Sequence, residues 1–543
     1  MFDEYPRPQM VRGSWLNLCG PWDYAVTRSA TVPAQWQGKI RVPFPPEAPA
    51  SGVGRTLQPG EYLWYHRTED RLPEAPRVLL HFGAADQRAV VWVNGVEVGS
   101  HIGGYTPFDI DITDALGGGR TAEIVVCVQD DTERSQLCRG RQRLRRGGVW
   151  YTAQSGLWMP VWAEGVPEEY IRSLKITPLY DESAVLIEAV PGGTVHFGED
   201  EYESPARVPV PGFVPWSPEN PRLYDFTVTL GQDTVSSYFA MRKFSVEDGQ
   251  LCLNGRTYFH NGVLDGGMNP EGLYTCPSDE QMQNDILTAK AMGFNTIRKY
   301  QKVEPLRWYY HCDRIGMLVW QDIPAGGGKQ SPLMYALPDL TGHTIPDSRY
   351  RIFGRADRLG REQFETELHE VIAALYNCPS IAMWTIFDEG HGQFDAARLA
   401  ALARDIDPTR TVDHAGGRYD QGAGSVKSVH RLFRHYRYRP DPHGRAVVLS
   451  FCGGYNCRVS RHMWDERRYG NDGFSGEADL LEKLRLLYTQ DILPAKKAGL
   501  SAAVYCRLTD IEDEINGLIT YDRQVVKASP EKIRAVTEGR GAM

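Results

Sequence analysis

The sequence predicts a multidomain protein made of three parts: a jelly-roll-like β-sandwich at residues 1–165, an immunoglobulin-like β-sandwich at 166–244 and a (β/α)₈ TIM barrel at 245–543. The chain has 543 residues, which is too many for one ordinary core. Its first 244 residues contain short alternating apolar and polar runs without a long helical period. After residue 245, strand-like runs alternate with helical ones, as they do in barrels of parallel strands.

Composition narrows the functional class. The chain is 42% hydrophobic and 24% charged, as is usual for soluble globular proteins, and its net charge of −9 argues against nucleic acid or an anionic membrane as the main partner. No apolar run of about 18 residues and no secretory signal is visible. The ten cysteines are scattered without a CxxC pair, which favours free thiols and a cytoplasmic protein.

The first two domains are predicted from strand and turn signals. In the first, Asn94-Gly95 separates two alternating runs within AVVWVNGVEVG and marks a hairpin. A basic run, RGRQRLRRGG (139–148), follows; a solvated loop is the favoured interpretation, and contact with an acidic glycan or the barrel mouth is the alternative. The second domain holds short runs such as SAVLIEAV and YDFTVTL, with a Pro-rich connector at 210–224.

Eight strands are predicted for the barrel, at 259–265, 295–299, 317–322, 381–387, 411–415, 426–430, 446–450 and 501–506. Helices are predicted at 279–293, 305–316 and 361–377, and Ser278 should cap the first of them. Because barrel enzymes carry their chemistry where strands end, residues at those ends are site candidates. The acidic run DIEDEING (510–517) is interpreted as structural or subunit-contacting, with a calcium site as the alternative.

Several linked motifs resemble glycoside hydrolase family two, which includes β-galactosidases, β-glucuronidases and β-mannosidases. VWVNGVEVGSHIGGYTPFDIDIT resembles the sugar-binding domain of that family, GFNTIRKYQK and MLVWQDIP its second and third barrel strands, and NCPSIAMWTIFDEGHGQFD its acid/base segment. VVLSFCGGYNCRV resembles the nucleophile segment. The resemblance covers nearly the whole chain and implies that Glu389 is the catalytic acid/base.

Two departures from the family matter for the chemistry. Asp388-Glu389 stands where the family has Asn-Glu, and Phe451 stands where it has the nucleophilic Glu. Phe451 cannot attack an anomeric carbon. The adjacent Cys452 could do so as a thiolate, but neighbouring strand residues point to opposite faces, so a cysteine packed behind the barrel is favoured.

Glu389 follows an apolar run, and partial burial is expected to raise its pKa toward that of a general acid. Asp388 either accepts a hydrogen bond from a sugar hydroxyl, as the family's Asn does, or orients a different group at the sugar's second carbon.

Further candidates for substrate contact are Asp265, Arg298, Lys299, Asp322, Trp384, His414, His430, Phe451, Trp464 and Tyr505. Arg298 and Asp322 could instead form a structural ion pair, Trp384 could be core, and Tyr505 is expected to stack under the sugar. No metal-ligand spacing is present, and no cofactor or metal is expected.

A change of substrate from a 2-hydroxy sugar to a 2-acetamido sugar would account for the departures at both Asp388 and Phe451. Some retaining glycosidases use the substrate's own 2-acetamido oxygen as the nucleophile, and they need a carboxylate pair rather than an enzyme nucleophile. We therefore expect an exo-acting, retaining β-N-acetylhexosaminidase, with N-acetylgalactosamine favoured over N-acetylglucosamine. The alternatives are an inverting or otherwise atypical β-galactosidase-like glycosidase, in which Asp265 or Asp322 activates water, and a catalytically silent carbohydrate-binding protein. We expect a glycoside as partner and allow for a homo-oligomer.

Overall fold

The computed structural model describes residues 3–331, 344–465 and 473–540, and the chain folds into two β-sandwiches followed by a barrel, which confirms the predicted fold class. The first sandwich packs two antiparallel sheets around a core that includes Trp22, Leu80 and Phe82. In spatial order, the larger sheet holds Gly38–Val42, Gly20–Thr27, Tyr62–Glu69, Ala122–Gln129, Arg88–Val93 and Val96–Ile102. The smaller holds Trp15–Asn17, Val161–Val166, Arg77–Phe82 and Phe108–Asp111.

The predicted hairpin at Asn94-Gly95 is confirmed. Arg88–Val93 pairs antiparallel with Val96–Ile102, and both turn residues have positive φ, 49° and 79°, as a two-residue hairpin turn requires. The minor elements of this domain are the strand pairs Ala85–Asp86 with Gly156–Leu157 and Gln142–Arg143 with Tyr151–Thr152, the helix Thr113–Leu116, and the 3₁₀ turns Pro49–Ser51 and Thr132–Arg134.

The second sandwich also has two antiparallel sheets, with Ile187, Val228 and Val235 fully buried between them. One sheet holds Ser173–Leu179, Ala184–Val190 and Ala206–Pro209, and the other holds Asp200–Glu203, Thr194–Phe197, Tyr224–Leu230 and Asp233–Phe239. Tyr180–Glu182 is a 3₁₀ turn. A small sheet of Phe244–Glu247, Gln250–Leu253 and Arg256–Thr257 leads into the barrel.

The barrel has eight parallel strands, as predicted, and they enclose the largest core of the molecule. In chain order they are His260–Asp265, Thr296–Lys299, Leu318–Asp322, Ile381–Thr385, Thr411–Asp413, Val426–Leu432, Ala446–Gly453 and Ala502–Cys506. The barrel is nearly closed. Between strands five and six, Ser425 N donates to Val412 O at 2.7 Å, and Ser425 Oγ accepts from Val412 N at 3.1 Å.

Helices cover most of the barrel's outer surface. They are Asp279–Ala291, Leu306–Ile315, Arg358–Leu375, Ala396–Ile406, Glu477–Leu486, the π-helical turn Leu487–Ile492, Leu493–Ala498 and Pro530–Thr537. Ser278 caps the first helix by accepting from Gln281 N at 3.1 Å, as predicted. Residues 433–445 join strands six and seven without a helix, which leaves the outer side of these strand ends open to other contacts.

A buried ion-pair cluster joins the two sandwiches. Arg12 donates to both oxygens of Asp233 at 2.9 and 2.8 Å and to Glu164 at 3.0 Å. Glu164 lies on the last strand of the first sandwich, and Asp233 begins the last strand of the second. All three side chains are almost fully buried, so the chain's first residues fix the relative position of these two domains.

Candidate active site

The site lies where the fourth barrel strand ends. After Ile381–Thr385, two buried residues lead to Asp388 and Glu389, and Phe387 stacks on the helix residue Phe364 with ring centroids 5.1 Å apart. Glu389 has a φ of 49°, in the left-handed region that non-glycine residues rarely occupy. Such conformations are concentrated at functional sites, where surrounding contacts hold them in place.

Three basic side chains surround the Glu389 carboxylate. His430 Nε2 lies 2.6 Å from Oε1, Arg141 Nη2 lies 3.0 Å from Oε2, and Arg418 Nε lies 3.8 Å from Oε1. Burial pushes the pKa of Glu389 upward, but His430, Arg141 and Arg418 together hold it well below its usual value. The expected rise in this pKa was therefore wrong for the ligand-free site, because the sequence did not reveal these three basic neighbours.

Asp388 is fully buried beside Glu389 and is held by two guanidinium groups. Arg141 Nη2 lies 2.5 Å from Oδ2, and Arg298 Nη2 lies 3.0 Å from Oδ1. Burial raises the pKa of Asp388; Arg141 opposes this rise, the neighbouring Glu389 adds to it, and Arg298 opposes it. One guanidinium, that of Arg141, thus bridges both carboxylates of the pair.

Arg298 lies at the centre of the barrel mouth. Its Nε and Nη2 donate to the two oxygens of Asp322 at 2.9 and 3.2 Å, so the alternative of an ion pair inside the mouth is what the structure shows. Burial raises the pKa of Asp322 to about 7, against the lowering effect of Arg298. The guanidinium carbon of Arg298 lies 4.6 Å from the centre of the Phe451 ring.

Phe451 forms an apolar wall in the same space. Its ring centroid is 6.0 Å from that of Tyr300 and 5.1 Å from that of His430, the residue that binds Glu389. Cys452 points away, with Sγ 3.2 Å from Val504 O, and burial raises the pKa of this thiol far above its usual value. The favoured interpretation of Cys452 as a packed residue agrees with this geometry.

The basic loop 139–148 reaches the barrel mouth, contrary to the favoured interpretation of a solvated loop. Its Arg141 is buried, lying 5.4 Å from the Trp150 ring centre and 5.2 Å from that of Tyr300 while it binds Asp388 and Glu389. Sequence analysis missed Arg141 as a site residue, and the run of basic residues was the only signal that could have indicated it.

The acidic run 510–517 holds the same loop from the other side. Arg146 Nη1 lies 2.5 Å from Asp513 Oδ1, and Thr152 N donates to Glu512 at 3.1 Å. Arg507 lies 2.9 Å from Glu514, which also accepts from Tyr151 OH. The structural interpretation of this run therefore agrees with its contacts, which attach the first domain to the barrel.

Two candidate residues on the first two barrel strands face away from the mouth. Trp320 Nε1 donates to His260 Nδ1 at 2.9 Å between strands one and three, which places alternate residues of these strands in the lumen. Asp265 and Lys299 have the opposite orientation: Lys299 Nζ pairs with Asp265 and, at 2.8 Å, with Glu304.

The remaining candidates also lie outside the cluster around Glu389. Trp384 Nε1 donates to Asp407 Oδ2 at 2.9 Å on the helix side of strand four, so its interpretation as core agrees with the structure. His414 Nε2 accepts from Gln421 N at 2.9 Å. The Tyr505 ring lies 6.4 Å from that of Tyr455, and the Trp464 ring lies 5.5 Å from that of Tyr521. The structure brings together Glu389, Asp388, Arg298, Asp322, His430 and Phe451.

The state of the cysteines, the length and apolarity of the helices, and the arrangement of possible metal ligands bear on the remaining predictions. All ten cysteines are free thiols, as the sequence predicted. Among the residues the structure describes, no helix is long and apolar enough to cross a membrane, and no group of three or more His, Cys, Asp and Glu side chains is arranged to hold a metal ion.

Comparison with known families gives three consecutive matches. Residues 2–150 match the sugar binding domain of glycosyl hydrolases family 2, residues 170–242 match the family's middle region, and residues 244–444 match its TIM barrel domain. Together the three matches cover most of the chain and follow the order of its three domains.

Individual relatives are distant. The chain is 23% identical to a β-galactosidase of Thermoanaerobacterium thermosulfurigenes, over 65% of this chain and 50% of that protein. It is 28% identical to a β-glucuronidase of Paenibacillus borealis, over 64% and 63% respectively. The chain thus spans about half the length of the curated relatives it matches. A solved Ruminococcus gnavus β-glucuronidase superposes with a TM-score of 0.77 at 17% identity, covering 99% of this chain and 100% of that one.

Proposed function

We propose that this chain, which belongs to glycosyl hydrolase family 2, is an exo-acting, retaining β-N-acetylhexosaminidase that uses the 2-acetamido group of its substrate as the nucleophile. Glycoside hydrolysis is the family's chemistry, and the specificity for a 2-acetamido sugar is our inference from the site. N-acetylgalactosamine is favoured over N-acetylglucosamine, because β-galactosidases are prominent in the family.

The observation that carries the proposal is the contact of both Asp388 and Phe451 with one side chain, Arg298. Asp388 Oδ1 is 3.0 Å from Arg298 Nη2, and the Phe451 ring lies 4.6 Å from the guanidinium carbon. A hydrogen-bond acceptor and an apolar surface therefore lie side by side. An acetamido group needs both, the acceptor for its N–H and the apolar surface for its methyl group.

The proposed reaction uses these positions. Protonated Glu389 donates its proton to the glycosidic oxygen as the bond from that oxygen to the anomeric carbon breaks, while the acetamido oxygen bonds to this carbon from the opposite face. Asp388 accepts the amide N–H and stabilises the positive charge of the resulting oxazolinium. Water then attacks the anomeric carbon, Glu389 takes the water's proton, and the ring opens to regenerate the acetamido sugar with retained configuration.

The resting site must change before this reaction. Glu389 is ionised and bound to Arg141 and His430, whereas a general acid needs a proton. An incoming sugar that displaces Arg141 would remove one cation from Glu389 and free Asp388 Oδ2 for the amide N–H. Removal of a nearby positive charge raises a carboxyl pKa, so substrate binding would itself favour protonation of Glu389.

A glycoside of a uronic acid is the second candidate. Arg141 and Arg418 place two guanidinium groups within 3.8 Å of Glu389, and Arg is the side chain best suited to bind a carboxylate. Two of the similar proteins carry the name β-glucuronidase. In this case Arg141 would bind the carboxylate of the sugar rather than leave the site.

Asp388→Asn tests the first proposal. We expect kcat on a nitrophenyl 2-acetamido-β-glycoside to fall by about 10²–10³, because a neutral amide stabilises the oxazolinium charge poorly. Asp407→Asn is the matched control, since Asp407 is also a buried, Arg-paired carboxylate but lies on the outer side of the barrel. It should lower stability and leave kcat unchanged. Full activity in Asp388→Asn would overturn the mechanism.

The stereochemistry of the first product distinguishes the proposed retaining mechanism from an inverting one. Proton NMR of the reaction should show the β-anomer first, as retention requires, and a thiazoline analogue of the oxazolinium should inhibit. An α-anomer formed first would indicate inversion, with a carboxylate such as Asp322 activating water. It would also contradict the substrate-assisted route.

A further inference from the structure

A basic groove lies beside the ends of barrel strands six and seven, on the side opposite the one that His430 presents to Glu389. The groove has a volume of about 430 Å³, and its lining includes Arg431, Arg434, Lys483, Phe433 and Tyr455. It exists because residues 433–445 connect the two strands without a helix, so the outer side of the strand ends and the helix Glu477–Leu486 face each other across open space.

The charge of this groove is strongly one-sided although the whole chain is acidic. Its lining holds Arg431, Arg434, Lys483 and His435 against one carboxylate, Asp491, which accepts from His435 Nδ1 at 3.0 Å. Within residues 3–331, 344–465 and 473–540, neither Arg431 nor Arg434 forms an ion pair. Exposed cations without carboxylate partners lose little on binding an anion, because no existing pair has to be broken.

The groove also presents aromatic surface. Phe433 is 46% exposed and has a φ of 58°, a left-handed conformation that turns the chain just after strand six. Tyr455 is half-buried, with its ring 6.4 Å from that of Tyr505 on strand eight. Flat apolar rings beside cations suit a sugar ring that carries an anionic group, since one face can stack while the charged group pairs.

The position of the groove relates it to the reaction. Arg431 is the chain neighbour of His430, which binds Glu389, and Gly453 follows Phe451 by two residues. The lining thus starts at the strand ends that also carry the proposed site. A sugar chain that leaves the mouth over the ends of strands six and seven would bring its next residues to the groove.

We propose that this groove is a subsite for an anionic part of the substrate, a sugar residue bearing a sulfate or carboxylate group on the side of the leaving group. This inference rests on the proposed glycosidase function and adds the class of glycan that the enzyme acts on. The enzyme would then remove a terminal sugar from an acidic oligosaccharide rather than from a neutral one.

Direct binding to the full chain tests the subsite independently of turnover. The probes are a sulfated tetrasaccharide, a tetrasaccharide containing uronic acid without sulfate, and a neutral tetrasaccharide, measured by isothermal titration. We expect the anionic probes to bind at least about tenfold more tightly than the neutral one. The stronger of the two anionic probes identifies sulfate or carboxylate as the preferred group.

The double variant R431A/R434A removes the two cations of the lining and should weaken the anionic probes by about tenfold. R437A/R439A is the matched control: it removes two exposed arginines of the same connection that do not line the groove, and its affinity should stay within about twofold. Both variants should hydrolyse a nitrophenyl monosaccharide at the unaltered rate, so a loss of catalysis cannot be mistaken for a loss of the subsite.

Three results would overturn the inference. They are equal weakening in the two double variants, unchanged affinity in R431A/R434A, and equally tight binding of the neutral tetrasaccharide. Binding of a single-stranded oligonucleotide as tightly as the anionic sugars, lost in the same variant, would assign the groove to another class of anion. If no nitrophenyl glycoside is hydrolysed but the anionic tetrasaccharides still bind to the groove, only the proposed catalysis is contradicted.

Discussion

At the scale of single residues, the exchange of carboxylate positions is the central feature of the site. Arg298 is a fully buried cation, and buried cations require anionic partners. By the sequence resemblance, Phe451 stands where the family has its nucleophilic Glu and Asp388 stands where it has an Asn; Asp388 pairs with Arg298 at 3.0 Å. Asp388, three residues past the end of strand four, is thus a second carboxylate partner of Arg298 besides Asp322, while the position on strand seven is apolar.

Phe451→Glu tests the functional meaning of this exchange. A carboxylate at this position would lie close to Arg298, whose guanidinium stabilises its ionised form, and beside the His430 ring. We expect the ratio of kcat/KM for 2-acetamido over 2-hydroxy β-glycosides to fall by about tenfold or more, since an enzyme nucleophile favours the smaller group.

Phe451→Leu is the control for this change, because it keeps the position apolar and removes only the ring. It should preserve the preference for 2-acetamido sugars at reduced activity. An unchanged preference in Phe451→Glu, in a protein that folds normally, would contradict the idea that the apolar side chain selects the acetamido group.

At the scale of elements, the sequence predicted which segments form strands better than it predicted which side chains face the mouth. All eight barrel strands are present close to their predicted bounds. Asp265 and Lys299 were candidates because they lie at strand ends, and Trp384 was a candidate inside strand four with core as its alternative; all three side chains face outward. The strand pairing shifts at Val319/Trp320, Val429/His430 and Leu449/Cys452. Such shifts change locally which side chains face the inside of the barrel, and no sequence pattern predicts them.

The loop 139–148 shows a second limit, since its function depends on a contact between domains. Its basic run was visible, but only the packing of the sandwich on the barrel places Arg141 between Asp388 and Glu389. Contacts between residues about 247 positions apart in the chain leave no local signal in a single sequence.

Arg141→Ala should shift the pH dependence of catalysis. Arg141 lowers the pKa of Glu389, so its removal raises that pKa, and the protonated general acid then persists to higher pH. We expect the falling, high-pH limb of kcat/KM to move upward. Arg146→Ala is the matched control, because Arg146 lies in the same loop but pairs with Asp513 and Asp465. A limb that stays in place, or moves equally in the control, would contradict this role.

At the scale of the whole molecule, buried polar contacts fix the relative positions of the three domains. Arg12 joins the two sandwiches through Glu164 and Asp233, and the acidic run 510–517 joins the first sandwich to the barrel. The order of the domains could be predicted from motifs. The residues that fix the relative positions of the domains could not be predicted, because each is a single charged residue that no motif distinguishes from the other charged residues of the sequence.

Arg12→Ala should destabilise the folded chain by about 3–5 kcal/mol, since it leaves the buried Asp233 without its guanidinium partner and removes one of the two guanidinium groups that bind Glu164, the other being that of Arg7. Arg77→Ala is the comparison. Arg77 also pairs with two carboxylates, Asp111 and Glu168, but its pairs are solvent-exposed, so the loss of stability should be much smaller. Denaturant unfolding followed by tryptophan fluorescence measures both. Similar losses in the two variants would show that the junction does not depend on this buried pair.

The most direct test of the central claim is a comparison of kcat/KM on nitrophenyl β-glycosides that differ at single positions of the sugar. The set contains 2-acetamido and 2-hydroxy sugars in the gluco and galacto series, together with the glucuronide. We predict that the 2-acetamido sugars are cleaved fastest, with the galacto form ahead. Faster cleavage of the plain 2-hydroxy sugars would contradict the account, faster cleavage of the glucuronide would favour the second candidate, and binding without turnover of any member would identify a silent carbohydrate-binding protein.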